Sequence, residues 1–182
     1  MKLINKHFFP KFQSGFSLME LMVVIAIIGI LSGIALPNFL SMRADSMLRG
    51  AVRELVGNIQ KTRMNSIKNN ETWAIQFNPG NIPGSYDIIS DSGGANNTEK
   101  TIIFQEHKSD VRFGTGLAGN DIDGGTFTGL TSPVNGVTFN PNGTCTDGYV
   151  YLSNSRGTVY GIGTLVGGVV ILRQWDGSQW EN

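Results

Sequence analysis

Gly15-Phe16-Ser17-Leu18-Met19-Glu20-Leu21-Met22-Val23-Val24-Ile25-Ala26-Ile27-Ile28-Gly29-Ile30-Leu31 is the stretch whose reading decides the fold. The apolar run continues to Leu36, and between Phe16 and Leu36 the sole ionisable side chain is Glu20. Residues 16–36 are numerous enough for a helix to cross a hydrocarbon core of roughly 30 Å. A lone carboxylate near one end of such a helix is costly in lipid, so it calls for a partner charge.

Before this run, residues 1–15 hold Lys2, Lys6 and Lys11 and no acid. A secretory signal would place its small-residue cleavage site after the apolar stretch. Here Gly15 comes first, so cleavage after it leaves the helix on the mature chain. The three lysines keep their end in the cytoplasm, which sends the C-terminal side across the membrane.

After the run, Pro37 removes one backbone hydrogen bond and predicts a kink. The helical pattern then resumes. Leu48, Val52, Leu55, Val56, Ile59 and Ile67 recur at helical spacings and form an apolar stripe. Arg43, Asp45, Arg49, Arg53, Glu54, Lys61 and Lys68 lie mostly off it. A continuous helix from Phe16 to Lys68 would be about 80 Å long, with Asn69-Asn70 as its stop. Gly29, Gly33 and Pro37 lower helix propensity in its middle. Two readings of them stay open: a weak point that loosens when helices pack, or residues that membrane helices ordinarily tolerate.

Residues 70–182 are Gly-punctuated and read as short strands with long loops. Strands are expected at 72–77, 86–90, 101–106, 111–113, 137–140, 149–153, 158–166 and 169–175. Residues 91–98 are expected as a polar loop and 114–136 as a long surface loop. Asp176-Gly177 is expected as a last turn before Trp180. The fold class is therefore α+β: a long N-terminal helix, apolar in its first half and amphipathic in its second, packed on a β-rich domain of two antiparallel sheets. Five basic residues face eleven acidic ones after Asn69, a net −6. That balance repels polyanions and argues against a nucleic-acid partner.

The segment 15–31 resembles the N-terminal signature of type IV pilins and type II secretion pseudopilins. The resemblance implies that a prepilin peptidase cuts between Gly15 and Phe16 and that the new Phe16 amine is N-methylated. It also implies that Glu20 pairs with the Phe16 amine of a neighbouring subunit during filament assembly. Pairing offsets much of the cost of burying either charge alone. It further implies that Gly29, Gly33 and Pro37 are the weak point that loosens in the filament. The short strands after the helix, the segment 136–143 and the closing Val169-Val170-Ile171-Leu172-Arg173 resemble the GspH/FimT branch. The implied partition is a leader at 1–15, a transmembrane and filament-core helix at 16–36, an amphipathic half at 37–69 and a periplasmic β-domain at 70–182. The implied partners are other pilin or pseudopilin subunits, the peptidase, an inner-membrane assembly platform and membrane lipid.

Asp121 and Asp123 sit at alternate positions, as oxygen ligands of calcium do, but the twelfth position of an EF-hand counted from Asp121 is Ser132 and not Glu. Cys145 is the single cysteine, which excludes an internal disulfide. His7 and His107 are isolated from each other and from any metal-ligand spacing. Neither a nucleophile–base signature nor a phosphate-binding loop is present, so the chain does not read as an enzyme and implies no cofactor or metal. Some FimT-like proteins bind DNA through a Gly-Arg-x-Arg-like element. The matching region here has Arg173 alone, between Trp175 and Trp180 on one side and apolar residues on the other, and Arg156 is likewise single. The bland reading, that the two tryptophans pack a sheet edge, is preferred. The expectation is a minor pseudopilin of a type II secretion filament acting in protein export. The alternative is a minor type IV pilus subunit, for pilus biogenesis or DNA uptake.

Overall fold

The computed structural model describes residues 15–81, 84–92, 94–104, 110–127, 131–132 and 136–181. One helix, α1 (Leu18–Asn69), is followed by strands β1 (Trp73–Asn78), β2 (Ser85–Ser92), β3 (Ala95–Ile103), β4 (Arg112–Phe113), β5 (Thr131–Ser132), β6 (Gly136–Phe139), β7 (Gly148–Ser153), β8 (Val159–Thr164), β9 (Val170–Trp175) and β10 (Trp180–Glu181). The chain divides into two compact units between Leu40 and Ser41.

In the first unit, Leu18–Leu36 forms 19 helical residues with no part buried. Such a segment spans about 28 Å at 1.5 Å per residue, enough to cross a membrane. Gly29, Gly33 and Pro37 are helical positions of α1.

In the second unit, α1 buries Leu48, Ala51, Val52, Leu55, Ile59, Thr62 and Ser66. The expected stripe needs one correction: its last member is Ser66, not Ile67, which is 48% exposed. Steps of four, three and four from Leu55 lead through Ile59 and Thr62 to Ser66. Ile67 is turned about 100° from that line. The hydroxyls can be buried because each finds a backbone acceptor: Thr62 Oγ1 donates to the Asn58 carbonyl and Ser66 Oγ to the Arg63 carbonyl, both at 2.7 Å. The helix stops where expected. Asn70 adopts φ +56°, and the Glu71 N–H returns to the Ser66 carbonyl at 3.2 Å, closing the end as a Schellman motif.

Two antiparallel sheets follow. The first has the order β3-β2-β1-β6, and the second β10-β9-β8-β7-β4 with β5 also paired to β7. Trp73, Ile75 and Phe77 of β1 point inward as the alternation predicts. The main core joins them, with Phe139 of β6, to α1 and to the inner face of the second sheet, through Val150, Leu152, Tyr160 and Ile162.

Two expected loops are structured. Residues 91–98 supply the arms of the β2–β3 hairpin, with Asp91 opposite Asn96 and Ser92 opposite Ala95, and Gly94 at φ +81° in the turn. Its polar residues suit an edge strand that is exposed almost throughout. The strand expected at 101–106 thus begins earlier and ends at Ile103, and positions 105–106 fall outside the described residues. Within 114–136, β5 joins the second sheet and Ile122 is buried against its outer face. There Ile122, Tyr151, Val159 and Trp175 make a second small core, flanked by Phe127, Tyr149 and Trp180. Gly161 permits it: a Cβ at that position would lie 3.2 Å from Ile122, Tyr151 and Trp180. Strand β8 is consequently buried on both faces. Trp175 and Trp180 are paired residues of the β9–β10 edge, with ring centroids 5.4 Å apart.

Candidate functional site

The site named by the sequence lies at the start of α1. Gly15, Phe16 and Ser17 precede the helix, and Phe16 is 81% exposed. Nothing lies within 4 Å of where a Gly15 Cβ would stand. The Gly15–Phe16 peptide bond is therefore outside the helical hydrogen-bond ladder.

Ser17 is the N-cap. Its Oγ accepts from the Glu20 N–H at 3.2 Å, and its carbonyl accepts from Glu20 and Leu21 N–H. Glu20 is thus the third helical residue of a Ser-x-x-Glu start, where the helix dipole favours a carboxylate. It is exposed. An amine created at Phe16 would stand beside the same positive helix end, so it gains from any carboxylate brought to it.

Gly29 and Gly33 have open space where a Cβ would be. Every large apolar side chain named on this segment is exposed, from Leu18 at 76% to Leu36 at 58%. A helix apolar all round needs lipid or other apolar helices around it.

In the second unit, two polar attachments hold α1 to the sheets, and sequence reasoning missed both. Asp45 Oδ1 accepts from Asn154 Nδ2 and from Thr158 Oγ1, each at 2.8 Å. The same Asn154 caps its own turn, its Oδ1 accepting from the N–H groups of Arg156 and Thr158. Arg63 Nε donates to the Gly143 carbonyl at 3.0 Å, and its Nη2 to the Gly167 carbonyl at 3.3 Å. Asp45 had a signal: it lies three residues before Leu48 and extends the buried face by one step. Arg63 had none, because its acceptors are backbone carbonyls.

The remaining candidates are accounted for by packing. Asp121 accepts from the Tyr151 hydroxyl and Asp123 from the Tyr149 hydroxyl. Burial, then Asp123, pushes Tyr149 up to about 12, and burial, then Asp121, raises Tyr151 further. Among the described residues no group of three or more His, Cys, Asp or Glu is placed to hold a metal. Cys145 is buried and its Sγ lies 3.0 Å from the Leu165 carbonyl; burial raises its thiol pKa, the opposite of activation. Arg173 Nη1 donates to the Ile122 carbonyl at 3.4 Å, so it is committed to the outer loop, whereas Arg156 is exposed. His7 and His107 lie outside the described residues.

Two family profiles match the chain. The prokaryotic N-terminal methylation motif covers residues 10–36, and the Type II transport protein GspH family covers residues 51–168. A fimbrial protein of Pseudomonas aeruginosa is 49% identical over 45 residues, 25% of this chain and 29% of that protein. The type IV major pilin protein PilA of Myxococcus xanthus is 62% identical over 32 residues, 18% of this chain and 14% of that one. The type IV major pilin protein PilE1 of Neisseria gonorrhoeae is 34% identical over 82 residues, 41% of this chain and 48% of that one. The chain thus matches less than half the length of these curated relatives. No solved structure gives a significant match.

Proposed function

The chain belongs to the Type II transport protein GspH family and carries the N-terminal methylation motif, and from that premise we propose that it is a minor pseudopilin. It is a non-enzymatic structural subunit of the type II secretion pseudopilus, acting in protein export. The observation that carries the reading is a methylation-motif helix, with an exposed Glu20 at its third position, in one chain with a GspH-type β-domain.

In this reading residues 1–15 are a leader that the prepilin peptidase removes, and Phe16 is N-methylated. Residues 16–36 cross the inner membrane once, N-terminus in the cytoplasm, and later enter the filament core. Residues 37–69 carry the β-domain, 70–182, in the periplasm. Glu20 neutralises the Phe16 amine of a neighbouring subunit as the assembly platform draws the helix out of lipid. Gly29, Gly33 and Pro37 are the point where the helix loosens.

A second reading, a minor type IV pilus subunit, is favoured by the fimbrial protein and type IV major pilins to which the chain is similar. Its DNA-uptake form draws no support from Arg173, which bonds to the Ile122 carbonyl. Intact mass and N-terminal fragmentation, with the peptidase gene present and deleted, test the common core of both readings. N-methyl-Phe16 as first residue, with peptidase only, is the expected result. A chain starting at Met1 in both strains would reduce the helix to a plain anchor.

A further inference from the structure

Trp73 is only 8% exposed, and its indole Nε1 is buried without a hydrogen-bond partner. A buried donor left unpaired is uncommon in a folded protein and calls for an acceptor. Trp73 opens β1 with its side chain on the inward face of the first sheet, and it lines a cleft of about 260 Å³ between that sheet and α1. The helix brings Lys61 and Asn65 to the cleft, one turn apart, and the sheet brings Ile88, Glu99 and Lys100. A bulge places the last two. Ile88 pairs with Lys100 and Ile89 with Thr98, so Glu99 is the extra residue of β3. A bulge interrupts the alternation of faces, which is how two consecutive side chains, one acid and one base, reach the same cleft.

The other polar groups of the wall have partners. Glu99 Oε1 accepts from Ser90 Oγ at 2.6 Å, Asn58 Nδ2 donates to the Tyr86 hydroxyl at 2.7 Å, and Thr62 Oγ1 donates to the Asn58 carbonyl. The indole N–H and the Lys61 and Lys100 ammonium groups can only donate, so what the cleft lacks is an acceptor. Both lysines are exposed, and they form its mouth. Two ammonium groups against one carboxylate leave a charge of +1. A monoanion neutralises that charge, whereas a dianion such as phosphate would overshoot it beside Glu99. The Trp73 ring is too covered to offer a face for stacking a sugar or a base.

We propose that this cleft binds a small monocarboxylate. One carboxylate oxygen accepts from Trp73 Nε1 and the other from Lys61 and Lys100, and a short apolar tail lies against Ile88. The site goes beyond the filament reading and does not depend on it, because all of its residues belong to the second unit. A ligand held there bridges α1 and the β2–β3 hairpin and stabilises the fold by mass action. A free acid and the C-terminus of a polypeptide share this chemistry, and the test separates them.

The test is magnetic resonance of the full chain in detergent with isotope-labelled tryptophan. Trp73, Trp175 and Trp180 give the indole N–H signals, assigned through Trp175→Phe and Trp180→Phe, which leave Trp73 in place. Sodium propionate should shift the Trp73 signal saturably and leave the other two unmoved, and propionamide, its uncharged counterpart, should shift none. Lys61→Gln and Lys100→Gln should each weaken propionate binding about tenfold, the loss of a hydrogen bond between charged groups. The thermal midpoint should rise with propionate in the unaltered chain and not in the double lysine variant. A short acetylated peptide with a free C-terminus, set against its amidated twin, identifies the source: tighter binding than propionate supports a chain end, and weaker binding supports a free acid. An unmoved Trp73 signal, a shift that propionamide reproduces, a shift that both lysine variants retain, or tighter binding of inorganic phosphate each overturns the proposal.

Discussion

Asn154, in the turn between β7 and β8, donates its side-chain N–H to Asp45 of α1 at 2.8 Å, across 109 residues of sequence. The bond is one end of a two-point attachment, and Arg63 with the Gly143 and Gly167 carbonyls is the other. Between them the apolar face from Leu48 to Ile59 supplies the bulk of the burial. Apolar contact is non-directional, so it holds the helix against the sheets without setting its register. The two polar ends do that.

Asp45→Ala leaves the buried Asn154 amide and the Thr158 hydroxyl without their acceptor. The expected loss is about 1–3 kcal/mol of stability, and a smaller one for Asp45→Asn, which keeps an oxygen. Urea unfolding of the full chain in detergent measures both, and equal losses would refute the acceptor argument.

Gly167 and Gly168 separate cleanly. A Cβ at Gly168 would lie 2.6 Å from the Gly143 carbonyl, beside Arg63 Nε, on a backbone at φ +76°, while one at Gly167 meets nothing within 4 Å. Gly168→Ala should cost about 2 kcal/mol or more through strain and the displaced Arg63, and Gly167→Ala less than about 0.5. Thermal midpoints of the two variants decide it.

Gly163→Ala on β8 would put a methyl 2.7 Å from the Tyr149 ring. The ring must move, and with it the hydroxyl that Asp123 accepts from. Limited proteolysis should then cut residues 114–127 faster than in the unaltered chain, with cleavage elsewhere unchanged. Unaltered protection would show that the ring is not what holds the loop.

Tyr86 is fully buried, and burial pushes its hydroxyl up to about 12 from 10, partly offset by the bond from Asn58. The folded state therefore keeps this proton when the unfolded chain has lost it. Its contribution is fully present below pH 10 and declines as pH rises toward 12, by roughly 2–3 kcal/mol. Tyr86→Phe should be less stable at pH 8, where Asn58 loses its partner, and should show a shallower decline above pH 10.

Glu20→Ala should leave the chain in the membrane at normal level and lower its recovery with the other filament subunits more than tenfold, the loss expected for an uncompensated buried amine. Ser17→Ala, which removes only the cap, should have a much smaller effect, about 1 kcal/mol of local helix stability. Normal co-purification of the Glu20 variant would sink the pairing role.

Sequence alone settled whatever depends on local chemistry and period. The apolar run from Phe16 to Leu36, the stop at Asn69-Asn70 and the inward side chains of β1 are all readable one window at a time. So is the N-terminal methylation motif, because it occupies one linear segment, residues 10–36. Tertiary structure decided the rest. Residues 91–98 look like a loop because each is polar, yet they pair, since an edge strand has both faces open to water. Residues 114–127 look like a surface loop because Ile122 and Phe127 are sparse, yet they cover the second sheet, since Gly161, far along the chain, leaves room for Ile122. Asp45 and Arg63 look like solvated charges on a helix, and only their distant partners in the turns beside β7 and β8 make them fasteners. A period can be read from neighbours in sequence; a partner a hundred residues away is specified only once the sheets have formed.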